Sequence, residues 1–209
     1  MMGPRLADEL LPVYDVSDSV AVVIEADIDR TWDALMAADL IQLGKHRPLI
    51  ATLGGARMLP ELVMNLLHGK RPPASPKRLT LRDSAAIPAG DGGWIVLGER
   101  PGRELALGLV GKFWRPVIQY ATVAPDEFRE FAAPGFAKTV YALAVDELRP
   151  GRTMLSAVMR TVGTDDDASR WFRRYWTLGV GSGAHVLVHG LLDSVRLTVE
   201  LDDEASLTP

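Results

Sequence analysis

From Tyr175 to Leu192 the chain carries no formal charge for eighteen consecutive residues. Two strand-like segments, Phe136–Leu148 and Arg152–Thr164, lead into that run. A strand pair followed by one long helix that is apolar almost all round must bury the helix, and a curved sheet is the surface able to receive it. The expected class is α+β, with a curved antiparallel β-sheet wrapped around a long C-terminal helix, an arrangement that can leave a cavity between the two.

Bulk properties narrow the function classes. At 209 residues with 47% apolar content the chain suits a single domain over 1–209, with 1–16 as an N-terminal extension and 201–209 as a frayed polar tail. Cysteine is absent, which removes disulfides, thiol nucleophiles and thiolate metal sites and fits a reducing cytoplasm. A net charge of −4 disfavours nucleic acid, because phosphate neutralisation needs clustered Lys and Arg, and Lys70-Arg71, Lys77-Arg78 and Arg173-Arg174 are short runs. The opening MMGPRLADELLPVYDV lacks the continuous apolar core of a secretory signal. The Tyr175–Leu192 run approaches the length of a membrane span, but Gly179, Gly181, Gly183, Gly190, Ser182, His185 and His189 dilute it, so no span is expected.

Along the chain, Ser17–Ala26 alternates and is rich in Val and Ile, which predicts a strand. Asp27 or Asp29 offers an N-cap to a helix carrying Trp32, Leu35 and Met36 at helical spacing. Between Leu40 and Lys77 the pattern weakens; Pro60 can open a short helix with Leu62, Val63, Leu66 and Leu67 on one face, and Pro72–Pro76 predicts a loop. Arg78–Ser84 is a candidate strand, and Gly93–Glu99 and Glu104–Val110 flank the turn Arg100-Pro101-Gly102-Arg103 as a hairpin. Trp114–Val123 is a further strand candidate limited by Pro116, and Pro125–Phe131 a single helical turn. Asp165-Asp166-Asp167 opens the closing helix, which should run to about Glu200.

Specific stretches carry a resemblance. Asp18–Leu40, Pro101–Trp114, Pro134–Val145 and Ser169–Trp176 are similar to the opening strand and helix, the hairpin strands, and the last strands and helix entry of the START and Bet v 1-like (SRPBCC) helix-grip superfamily, polyketide cyclase/dehydrase-type proteins included. The resemblance implies an apolar pocket for a lipid, polyketide or similar molecule, and in some branches a reaction. It supplies no shared catalytic set. Relatives often carry an acidic residue two positions before the arginine of the penultimate element, whereas Val158 stands two before Arg160 here.

His185 and His189 share one helix face with Asp193. The rise per residue separates positions 185 and 193 by about 12 Å, too far for one ion, and Val186 replaces the glutamate of an H-E-x-x-H helix, so no metal is expected. The pair then reads either as core or pocket histidines whose nitrogens pair with backbone, a strand carboxylate, Asp193 or water, or as groups orienting a ligand or moving a proton. The glycines of the run either bend the helix or allow tight packing. Arg160 sits with Ser156, Val158 and Val162 on one strand face, which points either into the cavity or outward to a surface acid.

Phe172, Trp176, Val180, Gly183, Leu187 and Leu191 form one helix stripe suited to a dry sheet contact. Tyr175, Leu178, Ser182, His185, His189 and Leu192 form the next, suited to a cavity wall. With Trp94, Tyr141 and Arg160 from the strands, Tyr175, Leu178, Ser182, His185 and His189 make the expected lining. The expected function is binding of a hydrophobic small molecule, as carrier or sensor, without a cofactor. The alternatives are a cyclase or dehydratase acting on a polyketide-like substrate, and an interaction module, a homodimer included, using an uncharged helix face.

Overall fold

The computed structural model describes residues 5–39, 80, 81, 83 and 93–206, with side chains to Leu201. Helix α1 (Leu6–Leu10) precedes strand β1 (Val16–Ile24) and helix α2 (Ile28–Ala37). Strands β2 (Ile95–Arg100), β3 (Glu104–Gly111), β4 (Ala137–Arg149) and β5 (Arg152–Gly163) follow. Helix α3 (Asp166–Tyr175), a π-type turn (Trp176–Val180) and helix α4 (Gly181–Ser206) close the chain. The strands form one antiparallel sheet in the order β1-β5-β4-β3-β2, packed against the long C-terminal helix.

Register decides which side chains meet. Val20 lies opposite Ala157, Ala157 opposite Leu143, and Leu143 opposite Leu105, so the four share one face. That face packs on Trp32 and Leu35 of α2 and on Leu192, Val195 and Val199 of α4. On the reverse face Ala106, Val110 and Val140 meet Leu6 and Leu11 around α1, together with Val123 and Phe128 from the β3–β4 connection. Covered on both sides, β4 is buried from Ala137 to Val145 with only Tyr141 partly accessible.

Local chemistry fixes the ends of these elements. The Asp27 carboxylate accepts from the Arg30 N–H at 2.9 Å and caps α2; Asp165 accepts from Ala168 N–H at 2.7 Å and caps α3. Asp165 also accepts from the Gly135 N–H at 2.6 Å, and these backbone bonds hold its carboxyl below the usual carboxylate range. The hairpin turn predicted at Arg100–Arg103 forms as expected, with Arg103 N–H donating to the Arg100 carbonyl at 2.9 Å.

Several expectations are corrected. Leu81 and Asp83 are helical, because Thr80 and Asp83 cap one another's N–H groups at 3.2 and 2.9 Å, an arrangement that opens a helical turn rather than extending a strand. Trp114–Val123 is not a strand; beyond β3 the chain turns back and pairs only through the Gly111–Tyr120 bridge. The single helical turn expected at Pro125–Phe131 is present as the i→i+4 bond from Phe131 N–H to Glu127 O, within a run of turns that Glu127 N–H to Ala124 O opens. The closing helix continues past Glu200 to Ser206. Within the N-terminal extension, Leu6, Ala7 and Leu11 are buried against the sheet. The predicted helix at Pro60 and the Pro72–Pro76 loop lie outside the described residues.

The closing helix is also broken. Leu178 has ψ of 17° and Gly179 has φ of +104°, a conformation that side chains rarely adopt. The Gly181 N–H donates to the Trp176 carbonyl, five residues back, and α4 restarts from there. Of the two readings open for the glycines, bending holds at Gly179, and close packing holds at Gly181, where an added Cβ would meet the Trp176 ring at 2.6 Å.

Candidate functional site

The break resets the helical phase, so neither predicted stripe survives intact. The residues of α4 that face the sheet are Gly181, Ala184, Val188, Leu192, Val195 and Val199, at intervals of three and four. Leu192, expected on the cavity wall, is a fully buried packing residue. Ser182, His185 and His189, expected to face an enclosed cavity, are exposed, and Leu178 at the break is 85% exposed. Asp193 bonds Arg196 at 2.6 Å instead of extending a histidine line. Among the described residues no three His, Asp or Glu side chains come together as metal ligands.

Among the described residues, the space between β1 and the start of α4 is small. It measures about 10 Å³ and is bounded by Asp18, Tyr141, Met159, Ala184 and Val188 among others. That is room for about one water molecule rather than a ligand. The larger space lies outside it: an open cleft of about 480 Å³ between the start of β1 and the helix break, lined by Ser17, Asp18, Trp176, Thr177, Gly181, Ser182, His185 and Val186.

Asp18 joins the two spaces. It occupies the inward-facing position of β1 that Val20, Val22 and Ile24 continue, so the strand places a carboxylate at the end of an apolar row. His185 Nδ1 lies 3.0 Å from each Asp18 carboxylate oxygen. A carboxylate can only accept, so Nδ1–H is the donor of this contact and Nε2 lies on the far side of the ring. Sequence reasoning missed Asp18, although the signal was present as an acid at an inward position of an alternating strand.

Tyr141 reaches the same region from β4. Its ring meets Trp94 edge to face, with centroids 5.2 Å apart. Burial, with the Asp18 charge and Tyr175 nearby, pushes its phenol up to about 12. The structure therefore brings Tyr141, Trp94 and Tyr175 to the inner side of this region and Ser182 and His185 to the cleft. Tyr175 rests against Phe172 at 6.0 Å, and Phe172 stacks on Trp176 at 6.0 Å, which fixes the indole forming the apolar wall.

Arg160 belongs elsewhere. It projects from the opposite sheet face, where its guanidinium donates to the Ala7 and Leu11 carbonyls at 3.1 and 3.2 Å and to Asp8 at 2.6 Å. Of its two predicted orientations the outward one is observed, and the residue clamps α1. Asp15 performs a similar task at the same end of the β1–β5 pair: it accepts from Gly163 N–H at 2.8 Å and pairs with Arg173. Burial pushes the Asp15 carboxyl up, but Gly163, Ser169 and Arg173 together outweigh it and hold it below the usual value.

No family model and no curated protein matches the sequence. Among solved structures the chain is similar to a hypothetical protein from Helicobacter pylori, at 12% identity over 94% of this chain and 98% of that one, with a TM-score of 0.45. It is also similar to a conserved protein from Geobacillus kaustophilus, at 10% identity over 88% and 95%, with a TM-score of 0.39. No helix among the described residues is long and apolar enough to cross a membrane.

Proposed function

We propose that this protein binds a small molecule with an apolar body, as a carrier or sensor, in the cleft at the helix break. The observation that carries this reading is the cleft itself: about 480 Å³, with Trp176 and Val186 as apolar surface and Asp18, Ser182 and His185 as polar groups at its rim. A volume of this order accommodates a drug-sized ligand, and a few fixed polar groups beside an aromatic wall are what orient one. The sheet and C-terminal helix are compatible with a helix-grip arrangement, and the same reading takes the chain as a member of that superfamily, with the ligand held beside the helix break instead of within the grip.

Native mass spectrometry of protein purified without denaturation tests the reading, followed by titration with the amphiphilic dye anilinonaphthalene sulfonate. Saturable dye binding that weakens about tenfold or more in Trp176→Ala is expected, since the indole supplies the largest apolar contact. No retained molecule and no saturable binding would overturn it. The same spectrum reads the oligomeric state: a dimer that shields Leu178 and Val186 from labelling would assign this face to self-association instead.

A further inference from the structure

The hydroxyls of the cleft are not equivalent. Ser17 donates to the Met159 carbonyl at 3.0 Å, and Thr177 donates to the Arg173 and Arg174 carbonyls, each at 3.0 Å. Among the described residues this leaves Ser182 as the uncommitted hydroxyl of the cleft, one helical turn from His185. His185 has its Nδ1 engaged by both oxygens of Asp18 and its side chain 48% exposed. A carboxylate on Nδ1 fixes the ring and the tautomer and stabilises the imidazolium formed when Nε2 gains a proton, the arrangement a general base requires. On its inner side Asp18 shares the water-sized space with Tyr141, whose hydroxyl has no hydrogen-bond partner among the described residues. A surface ion pair would need neither the cleft nor a free hydroxyl beside the ring.

Resting on the ligand reading above, we infer that the cleft is an acid–base site for carbon acids, in which His185 removes a proton from a carbon beside a carbonyl and Asp18 positions it. The substrate class is a molecule with an apolar body carrying an enolisable carbonyl. His185 Nε2 takes the α proton, the C–H electron pair forms the new C=C bond, and the carbonyl π electrons move to oxygen, where Ser182 donates a hydrogen bond to the enolate. The imidazolium then returns the proton to oxygen or to another carbon. The net change is a tautomerisation, balanced without oxidant, reductant or co-reactant. His185 is the catalytic residue, and Asp18 is a positioning residue because it acts through the ring.

A nitrobenzisoxazole is the probe. Base removes its ring C–H, the N–O bond breaks as the nitrile forms, and a coloured cyanonitrophenolate is released, so the assay reports a competent base in an apolar cleft. Turnover about 100-fold or more above His185→Gln is expected, the usual range for a positioned base. Asp18→Asn should lower kcat with little change in KM, and free imidazole should restore turnover to His185→Ala, which a merely structural histidine would not allow. Binding of the probe is measured separately by quenching of tryptophan fluorescence in the wild type and Trp176→Ala. Probe that binds in a Trp176-dependent way but turns over equally in His185→Gln would overturn the inference and leave the ligand reading standing. Probe that shows no such binding would overturn both.

Discussion

Tyr141 is the residue at which the interior and the cleft meet, and its chemistry is measurable. With its phenol raised from the ordinary 10.0 to about 12, the folded protein keeps a proton that the unfolded chain has already lost between those values. Fewer protons bound in the unfolded state means that stability declines as pH rises, by up to about 1.4 kcal/mol per pH unit across that window. Urea denaturation at a series of alkaline pH values should show this slope, and Tyr141→Phe should flatten it. A wild-type slope matching the variant's would mean the phenol is solvated. At this scale the sequence was only partly legible. The parity of β5 placed Arg160 with Ser156, Val158 and Val162 correctly, but both sheet faces are covered near it, so hydrophobic alternation carried no information about which face it served. Asp18 was readable from the alternation of β1, yet its histidine partner lies 167 positions away, and no local pattern announces such a pairing.

At the scale of elements, the helix break sets the position of the cleft. Gly179 at φ +104° has no neighbouring atom within 4 Å of an added Cβ, so the cost of a side chain there is conformational rather than steric. Gly179→Ala should therefore destabilise the fold by roughly 1–3 kcal/mol, while Gly183→Ala, at a helical position without positive φ, should be neutral or stabilising. Thermal denaturation of the two variants side by side checks this; equal midpoints would show that the chain re-forms a continuous helix through position 179. The contrast also explains what could be read in advance. Strands β4 and β5 were bounded to within a residue because their hydrophobic runs end at a Pro-Gly turn and at three aspartates. The helix stripes failed because a periodic pattern assumes constant phase, and four glycines in one run do not reveal which of them takes the left-handed conformation. Thr80 and Asp83 show the same limit on a smaller scale, since a reciprocal cap outweighs a short apolar alternation.

At the scale of the molecule, the decisive property is how closely the described layers pack. Among the described residues one sheet face packs on α2 and α4 and the reverse face on α1 and the β3–β4 connection, and the space these residues leave between β1 and α4 measures about 10 Å³. Much of the apolar run therefore packs against the described strands, and the proposed ligand reading rests on the cleft at the edge, where the broken helix leaves β1. Leu192 separates the two possibilities. It is fully buried between helix and sheet, and truncating it removes contacts on both sides, so Leu192→Ala should cost roughly 2–5 kcal/mol in urea denaturation. A ligand held in the cleft does not touch that cluster, because Leu192 is absent from the cleft lining. The dye affinity of Leu192→Ala should then stay within about twofold of wild type under conditions where both are folded, as is usual for sites without shared partners. An affinity change as large as that of Trp176→Ala would put the ligand back between the layers. The balance of packing and binding in this fold rests on which of the two variants moves the affinity.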